Sequence, residues 1–308
     1  YYLRGRRFFN AGADYRLRFG PLTLEGEAAT GTRGYALYNV VSARLPWWGL
    51  NALLSHRLYT HDYWAFFARA FGEGGGPPRN ENGWYAALEA APAEGWRLMA
   101  SADFFASPWW RYRVSKPSRG TDLRWQAAWT RDRGLTVLGS YRLRLKERDL
   151  AGTGGAVVLP TRHHVVRLRL VASPGAGWTL RTTADGNRFC HDGLPPSQGW
   201  QLVQACAWRP WEGALRVVVQ AAYFDTDGYD SRVYAYEEGL PGTFYVPSFS
   251  GRGLRWSACL SCEWRGRLSL VAKWGQTVYL DRTSIGTGTE LIEGNRKSDV
   301  QLQLTLAL

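Results

Sequence analysis

Histidine and cysteine are the residue types in this chain with the widest catalytic and metal-binding chemistry. Two of the five histidines stand next to an aspartate: His61 beside Asp62, and His191 beside Asp192. Hydrolytic chemistry needs a nucleophile and a histidine that meet in space, often with a carboxylate behind them. Two adjacent residues in one loop do not supply that arrangement. The sequence therefore predicts no catalytic site, and we expect a protein that is not an enzyme.

Four cysteines are present, and Cys259 and Cys262 have the C-x-x-C spacing of many metal sites. On a β-strand an offset of three places the two side chains on opposite faces. A shared zinc site or a disulfide within the pair is therefore not expected. Cys206 and Cys262 are expected on an apolar face as small hydrophobic residues, and Cys190 in a loop.

Three carboxylates cluster at Asp225, Asp227 and Asp230, with Gly228 between them. Oxygen ligands around a glycine suit Ca²⁺, but the full spacing of a calcium loop is absent. A solvated turn with Asx-type hydrogen bonds is the favoured interpretation. No metal and no cofactor are predicted.

Arginine dominates the charge. Only four of the 38 basic residues are lysines, which leaves 34 arginines and a net charge of +12. A planar guanidinium suits fixed ion pairs with carboxylates and bidentate binding of phosphate or sulfate. A genome rich in G and C would produce the same bias, so this alternative stays open. Basic charge alone does not establish a nucleic-acid ligand.

The elements that must position these side chains are predicted to be β-strands. The 45% apolar content argues against disorder, and no apolar run is long enough for a transmembrane helix. Apolar and polar residues alternate with period two almost everywhere, as at Val300, Leu302 and Leu304 against Gln301 and Gln303. About fifteen segments of roughly ten residues, long enough to cross a bilayer at a tilt, follow this pattern: 11–19, 22–30, 35–46, 50–59, 83–91, 96–106, 121–131, 135–146, 163–172, 178–188, 199–209, 214–224, 253–265, 268–280 and 299–308.

The connections between these segments alternate in length. Short turns are predicted at 19–22, 45–49, 92–95, 132–134, 173–177, 210–213 and 265–267. Long polar or Gly/Pro-rich loops are predicted at 61–81, 107–120, 147–161, 190–198, 225–251 and 281–297. Seven tryptophans mark the short-turn side, as an interfacial aromatic girdle would: Trp47, Trp48, Trp96, Trp178, Trp208, Trp211 and Trp264. This asymmetry is typical of an outer-membrane barrel.

The polar face of the predicted strands carries about twice as many basic as acidic residues. In a barrel this face lines the lumen, where a ring of guanidinium groups would favour anions. The same groups could instead neutralise acidic residues of a plug or partner chain. A tight turn at 19–22 would place Arg16 opposite Glu25. A soluble antiparallel sandwich with its charges outside is the alternative. The basic residues predicted to face the lumen are Arg16, Arg18, Arg57, Arg97, Arg124, Arg142, Arg144, Arg167, Arg169, Arg216, Arg255 and Lys273.

Strand parity makes a separate prediction about the complete protein. The last strand should run towards the short-turn, periplasmic side, and fifteen strands then place residue 1 on the opposite side. Bacterial single-chain barrels have even strand numbers. We therefore expect a C-terminal fragment of a barrel with 16 or more strands. Alternatively, residues 1–9 or part of 229–247 supply a further strand.

Several stretches form a recognisable set: NENGWYAALE at 80–89, FFASPWWRY at 104–112, PSRGTD at 117–122, YDSRVYAYE at 229–237, GRGLR at 251–255, IGTGTE at 285–290 and GNRKS at 294–298. Together they resemble the C-terminal barrel region of Bacteroidetes outer-membrane proteins that carry competence-type helix-hairpin-helix repeats at the N-terminus. The resemblance implies a location in the cell envelope and an upstream periplasmic segment. Because helix-hairpin-helix units generally contact nucleic-acid backbones, it also implies a DNA partner by analogy.

The sequence thus predicts an all-β protein whose residues 1–308 form a single large antiparallel transmembrane β-barrel domain in the outer membrane. The first functional hypothesis is a channel, or the membrane part of a translocation or uptake system, that favours anionic cargo. The second is a non-conducting scaffold whose lumen is plugged by loops or a partner, and a hydrolase ranks last. Expected partners are outer-membrane lipid and lipopolysaccharide, with a periplasmic or DNA partner reached through an upstream domain.

Overall fold

The computed structural model describes residues 4–131, 134–152, 155–211 and 214–307. It divides into two compact units. The first comprises Tyr1–Ala127, Tyr141–His164 and Cys190–Pro195, and the second comprises Ala128–Ser140, Val165–Phe189 and Pro196–Leu308. Within the described ranges, no helix has the length and apolar character needed to cross a membrane.

Strands make up 67% of the structure, as the alternating pattern predicts. In the part of the chain that the structure describes, three single turns of 3₁₀ helix lie in the loops, at Trp47–Gly49, Tyr229–Ser231 and Gly288–Glu290. The strands are β1 (Asn10–Phe19), β2 (Leu22–Gly31), β3 (Tyr35–Arg44), β4 (Asn51–Tyr59), β5 (Glu81–Ala90), β6 (Trp96–Ser107), β7 (Ser118–Arg131), β8 (Leu135–Gly152), β9 (Gly155–Gly175), β10 (Trp178–His191), β11 (Ser197–Trp211), β12 (Leu215–Thr226), β13 (Val233–Tyr234), β14 (Ser248–Phe249), β15 (Arg252–Trp264), β16 (Leu268–Tyr279), β17 (Ser284–Ile285), β18 (Ile292–Glu293) and β19 (Arg296–Leu306).

Fifteen of these strands form one antiparallel sheet, which confirms the predicted strand number. Its order is β1 to β12, then β15, β16 and β19, so consecutive long strands are always neighbours. Among the described residues, β1 pairs only with β2 and β19 only with β16. Closure into a barrel therefore stays a prediction.

On β4 and β15 the two faces of the sheet have inverted polarity compared with a soluble protein. In the first unit, Ser55 and Arg57 on β4 are each 1% exposed, whereas Leu54 is 46% exposed. In the second unit, Arg255 on β15 is 4% exposed, whereas Trp256 is 37% exposed. Soluble proteins bury the apolar face of a sheet and leave charged side chains in water. These strands do not fit the soluble-sandwich alternative, because their arginine face is the covered one.

Loop segments cover the polar face within each unit. In the first unit, Tyr63 and Ala65 of the loop 60–80 pack against Ala36 and Tyr59. In the second unit, the hairpin β13–β14 packs on the sheet through Val233, Ala235 and Phe249, which contact Val203, Ala222 and Phe224. The hairpin is a separate two-stranded sheet. The alternative that part of 229–247 adds a strand to the main sheet is therefore wrong.

Three further interpretations of the sequence are corrected by the strand bounds. Residues 147–161 are not a long loop, because β8 continues to Gly152 and β9 begins at Gly155. Cys190 lies within β10 rather than in a loop. Residues 4–9, the described part of the segment proposed as an extra strand, are not a strand.

The short turns have the glycines and tryptophans that the pattern predicts. At the β9–β10 turn, Gly177 has φ +77°, and a Cβ there would lie 2.1 Å from the carbonyl oxygen of Arg209. Trp178 and Trp208 stack across β10 and β11 with ring centroids 5.4 Å apart. The predicted turns at 132–134 and 210–213, the Trp211 side chain and Leu308 lie at least partly outside the described residues.

Candidate functional site

The covered polar face of the first unit is organised around Arg57 on β4. Its Nε donates to Glu81 Oε1 at 2.5 Å. Nη1 donates to Asp103 Oδ1 at 2.8 Å, and Nη2 to Asp103 Oδ2 at 3.2 Å. The guanidinium also lies 4.9 Å from the centre of the Phe71 ring. Two carboxylates from neighbouring strands and a loop aromatic ring therefore enclose one cation.

The loop 60–80 is fastened to this cluster by its own backbone. The Glu73 N–H donates to both carboxylate oxygens of Glu81, at 2.9 and 3.1 Å. The Tyr59 hydroxyl donates to the Phe71 carbonyl oxygen at 2.9 Å. Glu81 thus joins the loop to the buried arginine.

The Glu73 side chain of the same loop reaches the basic residues of β8. Its carboxylate pairs with Arg144 at 3.2 Å and also contacts Lys146. A second carboxylate, Asp122 on β7, lies among the guanidinium groups of Arg124, Arg142 and Arg144. Two carboxylates therefore pair with four cations, and this part of the polar face keeps a net positive charge.

The second unit contains a comparable buried cluster around Arg255. Nε and Nη2 donate to the two oxygens of Glu237 at 2.5 and 2.9 Å. Nη1 donates to Asp299 at 2.9 Å and to the Thr277 hydroxyl at 3.1 Å. Lys273 Nζ lies 3.1 Å from Glu237. The side chains of Glu237 and Lys273 are 1% and 2% exposed, whereas that of Asp299 is 31% exposed. The network is therefore desolvated around Glu237 and open to solvent at Asp299.

Glu237 belongs to the loop 227–251, and further bonds fasten that loop to the sheet. Glu238 forms a two-pronged pair with Arg216, at 2.7 and 3.2 Å. The Gln201 amide donates to the Tyr234 carbonyl oxygen at 2.8 Å. Both units therefore have a long loop that lies on the polar face and brings carboxylates to strand arginines.

The twelve basic candidates divide into paired and unpaired residues. Ten form ion pairs: Arg16 with Glu25, Arg57 with Glu81 and Asp103, Arg97 with Glu89, Arg124, Arg142 and Arg144 with Asp122, Arg167 with Asp185, Arg216 with Glu238, and Arg255 and Lys273 with Glu237. The predicted register of Arg16 opposite Glu25 is confirmed, at 3.1 Å. Arg18 and Arg169 have no ion pair among the described residues.

Sequence reasoning did not identify the loop carboxylates Glu73, Glu237 and Glu238 as partners of these arginines. They are isolated acidic residues in loops, and nothing in their local pattern distinguishes them. A general signal was available. When a loop covers a strand arginine, burial of the unpaired charge would cost folding free energy, so a carboxylate partner is expected.

Several of the residues considered for catalysis or metal binding take part in ion pairs, ring stacking or hydrogen bonds within the protein. Asp192 pairs with Arg162 at 2.6 Å. The ring of His61 stacks on Trp109, with centroids 4.8 Å apart. None of the four cysteines, all of which lie in the described part of the chain, forms a disulfide bond. Asp225 pairs with Arg252, and Asp227 accepts from the Gln198 N–H at 2.8 Å. The described residues contain no group of three or more metal-ligating side chains.

A loop ion pair outside the sheet adds a titratable contact. Arg282 donates to both oxygens of Asp281 at 3.0 Å and to the Ser250 carbonyl oxygen at 2.8 Å. Hydrogen bonding by this guanidinium lowers the pKa of Asp281. Arg282 thereby ties the segment after β16 to the loop 227–251.

No family model matches the chain, and no curated protein matches it either. Several solved structures are similar at low identity, among them three outer-membrane or transport proteins. The outer-membrane expressed OmpT of Vibrio cholerae has a TM-score of 0.44 and 9% identity, over 95% of this chain and 94% of that one. The copper transporter OprC has a TM-score of 0.43 and 12% identity, over 87% of this chain and 44% of that one. The anion-selective porin from Comamonas acidovorans has a TM-score of 0.40 and 11% identity, over 97% of this chain and all of that one. These similarities do not define a function for the chain.

Proposed function

We propose that this chain is the membrane-spanning part of an outer-membrane β-barrel that forms an anion-favouring channel. The observation that carries the proposal is the inverted burial on strands such as β4 and β15, whose apolar side chains are exposed and whose arginines are covered. A sheet with this polarity is stable where hydrocarbon surrounds the apolar face. The strands of 9 to 21 residues in the main sheet are long enough for a tilted crossing.

The tryptophans at the short-turn ends support this placement. Trp47, Trp48 and Trp264 are 71%, 68% and 62% exposed. Indole rings are stable at the boundary between hydrocarbon and headgroups, because their body is apolar and their N–H is polar. The apolar face and its girdle would contact outer-membrane lipid, including lipopolysaccharide.

The proposed preference for anions follows from the remaining positive charge on the polar face. Although ten of the twelve basic candidates have carboxylate partners, several share one carboxylate. Arg124, Arg142 and Arg144 all lie around Asp122. A pore lined by surplus guanidinium groups attracts anions and repels cations.

A non-conducting scaffold is the second candidate, and the buried networks favour it. Arg57 and Arg255 lie under the loops 60–80 and 227–251, which occupy part of the polar face in their respective units. A lumen filled in this way would pass no ions. An upstream domain that reaches a periplasmic or DNA partner would fit either candidate.

Single-channel recording in a planar bilayer tests the proposal. A chain that forms an anion-favouring channel should show discrete conductance steps, and a salt gradient should shift the reversal potential towards the equilibrium potential of chloride. A shift towards the potassium value would contradict the arginine argument. Absence of conductance from inserted protein would support the scaffold.

A further inference from the structure

The second unit contains a cavity of about 960 Å³ on its polar face, near the short turn between β9 and β10. Four arginines line it: Arg169, Arg181, Arg209 and Arg216. Glu238 is the one carboxylate among the described lining residues. The cavity therefore carries an excess of positive charge, because four arginines face one carboxylate.

The four arginines are not equally available to a ligand. Arg216 is held by its two-pronged pair with Glu238. Arg169 Nε is buried and has no hydrogen-bond partner among the described residues. Arg181 lies 5.8 Å from the centre of the Tyr236 ring and has no ion pair in the described part of the chain. Arg209 is exposed and, like Arg169 and Arg181, has no ion pair among the described residues. Arg169 and Arg181 are the two less exposed guanidinium groups that no carboxylate pairs with.

The wall beside these arginines is apolar. Val171, Ala205, Ala207 and Val218 line the same cavity. Ala205 and Val218 are already buried, whereas Val171 and Ala207 are half-buried. A small inorganic anion would leave the exposed part of Val171 and Ala207 in contact with water. A ligand that carries an apolar group next to its charge would cover it, and burial of that group would add to the affinity.

We propose that this cavity binds a phosphate monoester with a small apolar or aromatic group. Such a phosphate carries a charge of about −1.5 to −2 near neutral pH, together with three acceptor oxygens, which matches the guanidinium groups of Arg169 and Arg181. Planar guanidinium groups bind phosphate oxygens in pairs. The ester group would lie against the exposed parts of Val171 and Ala207. This inference deepens the proposed anion preference, but binding itself does not require conduction.

Titration calorimetry of the full chain in detergent micelles tests the proposal, with phenyl phosphate as the probe and phenol as the uncharged comparison. Phenyl phosphate should bind, and phenol should not. Arg169→Gln and Arg181→Gln should each weaken binding about tenfold, as expected for loss of a charged hydrogen bond. Arg188→Gln on the same strand as Arg181, outside the cavity lining, should leave the affinity unchanged.

Two results would overturn the proposal: equal affinity of the double variant and the natural chain, or equal binding of phenol and phenyl phosphate. Bilayer recording on the same preparation separates this inference from the proposed channel. Anion conduction without arginine-dependent binding would reject the cavity site alone. Arginine-dependent binding without conduction would reject the channel and leave the site intact.

Discussion

The guanidinium of Arg57 lies directly over Gly83, its cross-strand partner on β5. A Cβ at position 83 would lie 2.7 Å from Arg57 Cζ and 2.9 Å from the Phe104 carbonyl oxygen. In the second unit, a Cβ at Gly275 would lie 2.4 Å from Arg255 Nη2. In both buried networks the missing side chain of a glycine makes room for the arginine.

Gly83→Ala should therefore destabilise the protein. The added methyl group meets the Phe104 carbonyl oxygen and the Arg57 guanidinium, which two carboxylates hold in place. Neither group can therefore move away freely. We expect a loss of about 1–3 kcal/mol in the free energy of unfolding, typical of overpacking. Urea unfolding in detergent measures it. Gly139→Ala is the matched control, since a Cβ there has nothing within 4 Å. Equal losses in the two variants would contradict the account.

Glu237→Gln should release the loop 227–251 from the sheet. The substitution leaves the buried Arg255 and Lys273 without their shared carboxylate, and breaking a buried pair in this way costs about 3–5 kcal/mol. The loop should then be cleaved faster by chymotrypsin at Phe244 or Tyr245, which are exposed. Glu290→Gln, in a different and exposed loop, should leave the cleavage rate unchanged. Unaltered cleavage in Glu237→Gln would show that the pair does not hold the loop.

Glu73→Gln tests whether the loop 60–80 offsets positive charge in the proposed channel. Loss of this carboxylate leaves Arg144 and Lys146 without their loop partner, so the reversal potential should move further towards the chloride value. The free energy of unfolding should fall by about 1.5–3 kcal/mol, the usual contribution of a hydrogen bond to a charged group. Glu94→Gln, in a short turn, serves as the control. A shift towards potassium selectivity would refute the assignment.

Acidification should loosen the segment after β16. The pKa of Asp281 is lowered in the folded protein by Arg282, so this pair stabilises the fold at pH values above the unfolded pKa of about 3.9. That stabilisation is lost as the pH falls through the lower, folded pKa. Cleavage by pepsin within 280–295 should therefore increase as the pH is lowered below about 4.

Asp281→Asn removes the titrating group of this pair. Its cleavage in 280–295 should be fast at pH 4 already and change little at lower pH, whereas Asp230→Asn should follow the natural chain. An identical pH response in Asp281→Asn and the natural chain would exclude this pair as the cause.

The strands and one register were predictable because period-two alternation is a local signal. The pairing of Arg16 with Glu25 follows from one tight turn and needs no tertiary information. The extension of β8 was missed because residues 146–149 are all charged and show no apolar alternation. In the structure two of those charges bind a neighbouring loop or strand backbone: Glu147 accepts from the Arg119 N–H, and Asp149 from Ser115.

The carboxylate partners of the arginines were not predictable for a related reason. Glu73 pairs with Arg144, 71 residues further along the chain, and the contact depends on how the loop 60–80 folds back. Sequence alternation places Arg144 on the polar face but carries no information on which loop covers it. Recognition of the arginine face was thus possible from the sequence, whereas its neutralisation by the loops required the structure.

Spin labelling on β19 tests the central claim most directly. Single cysteines would replace Leu302 or Gln303, in a chain whose four natural cysteines are serines, and carry a nitroxide in lipid vesicles. If hydrocarbon surrounds the apolar face, the label at 302 should collide more with oxygen and the label at 303 more with a water-soluble nickel complex. Equal access of the nickel complex to both positions, or the reverse order, would contradict the membrane assignment.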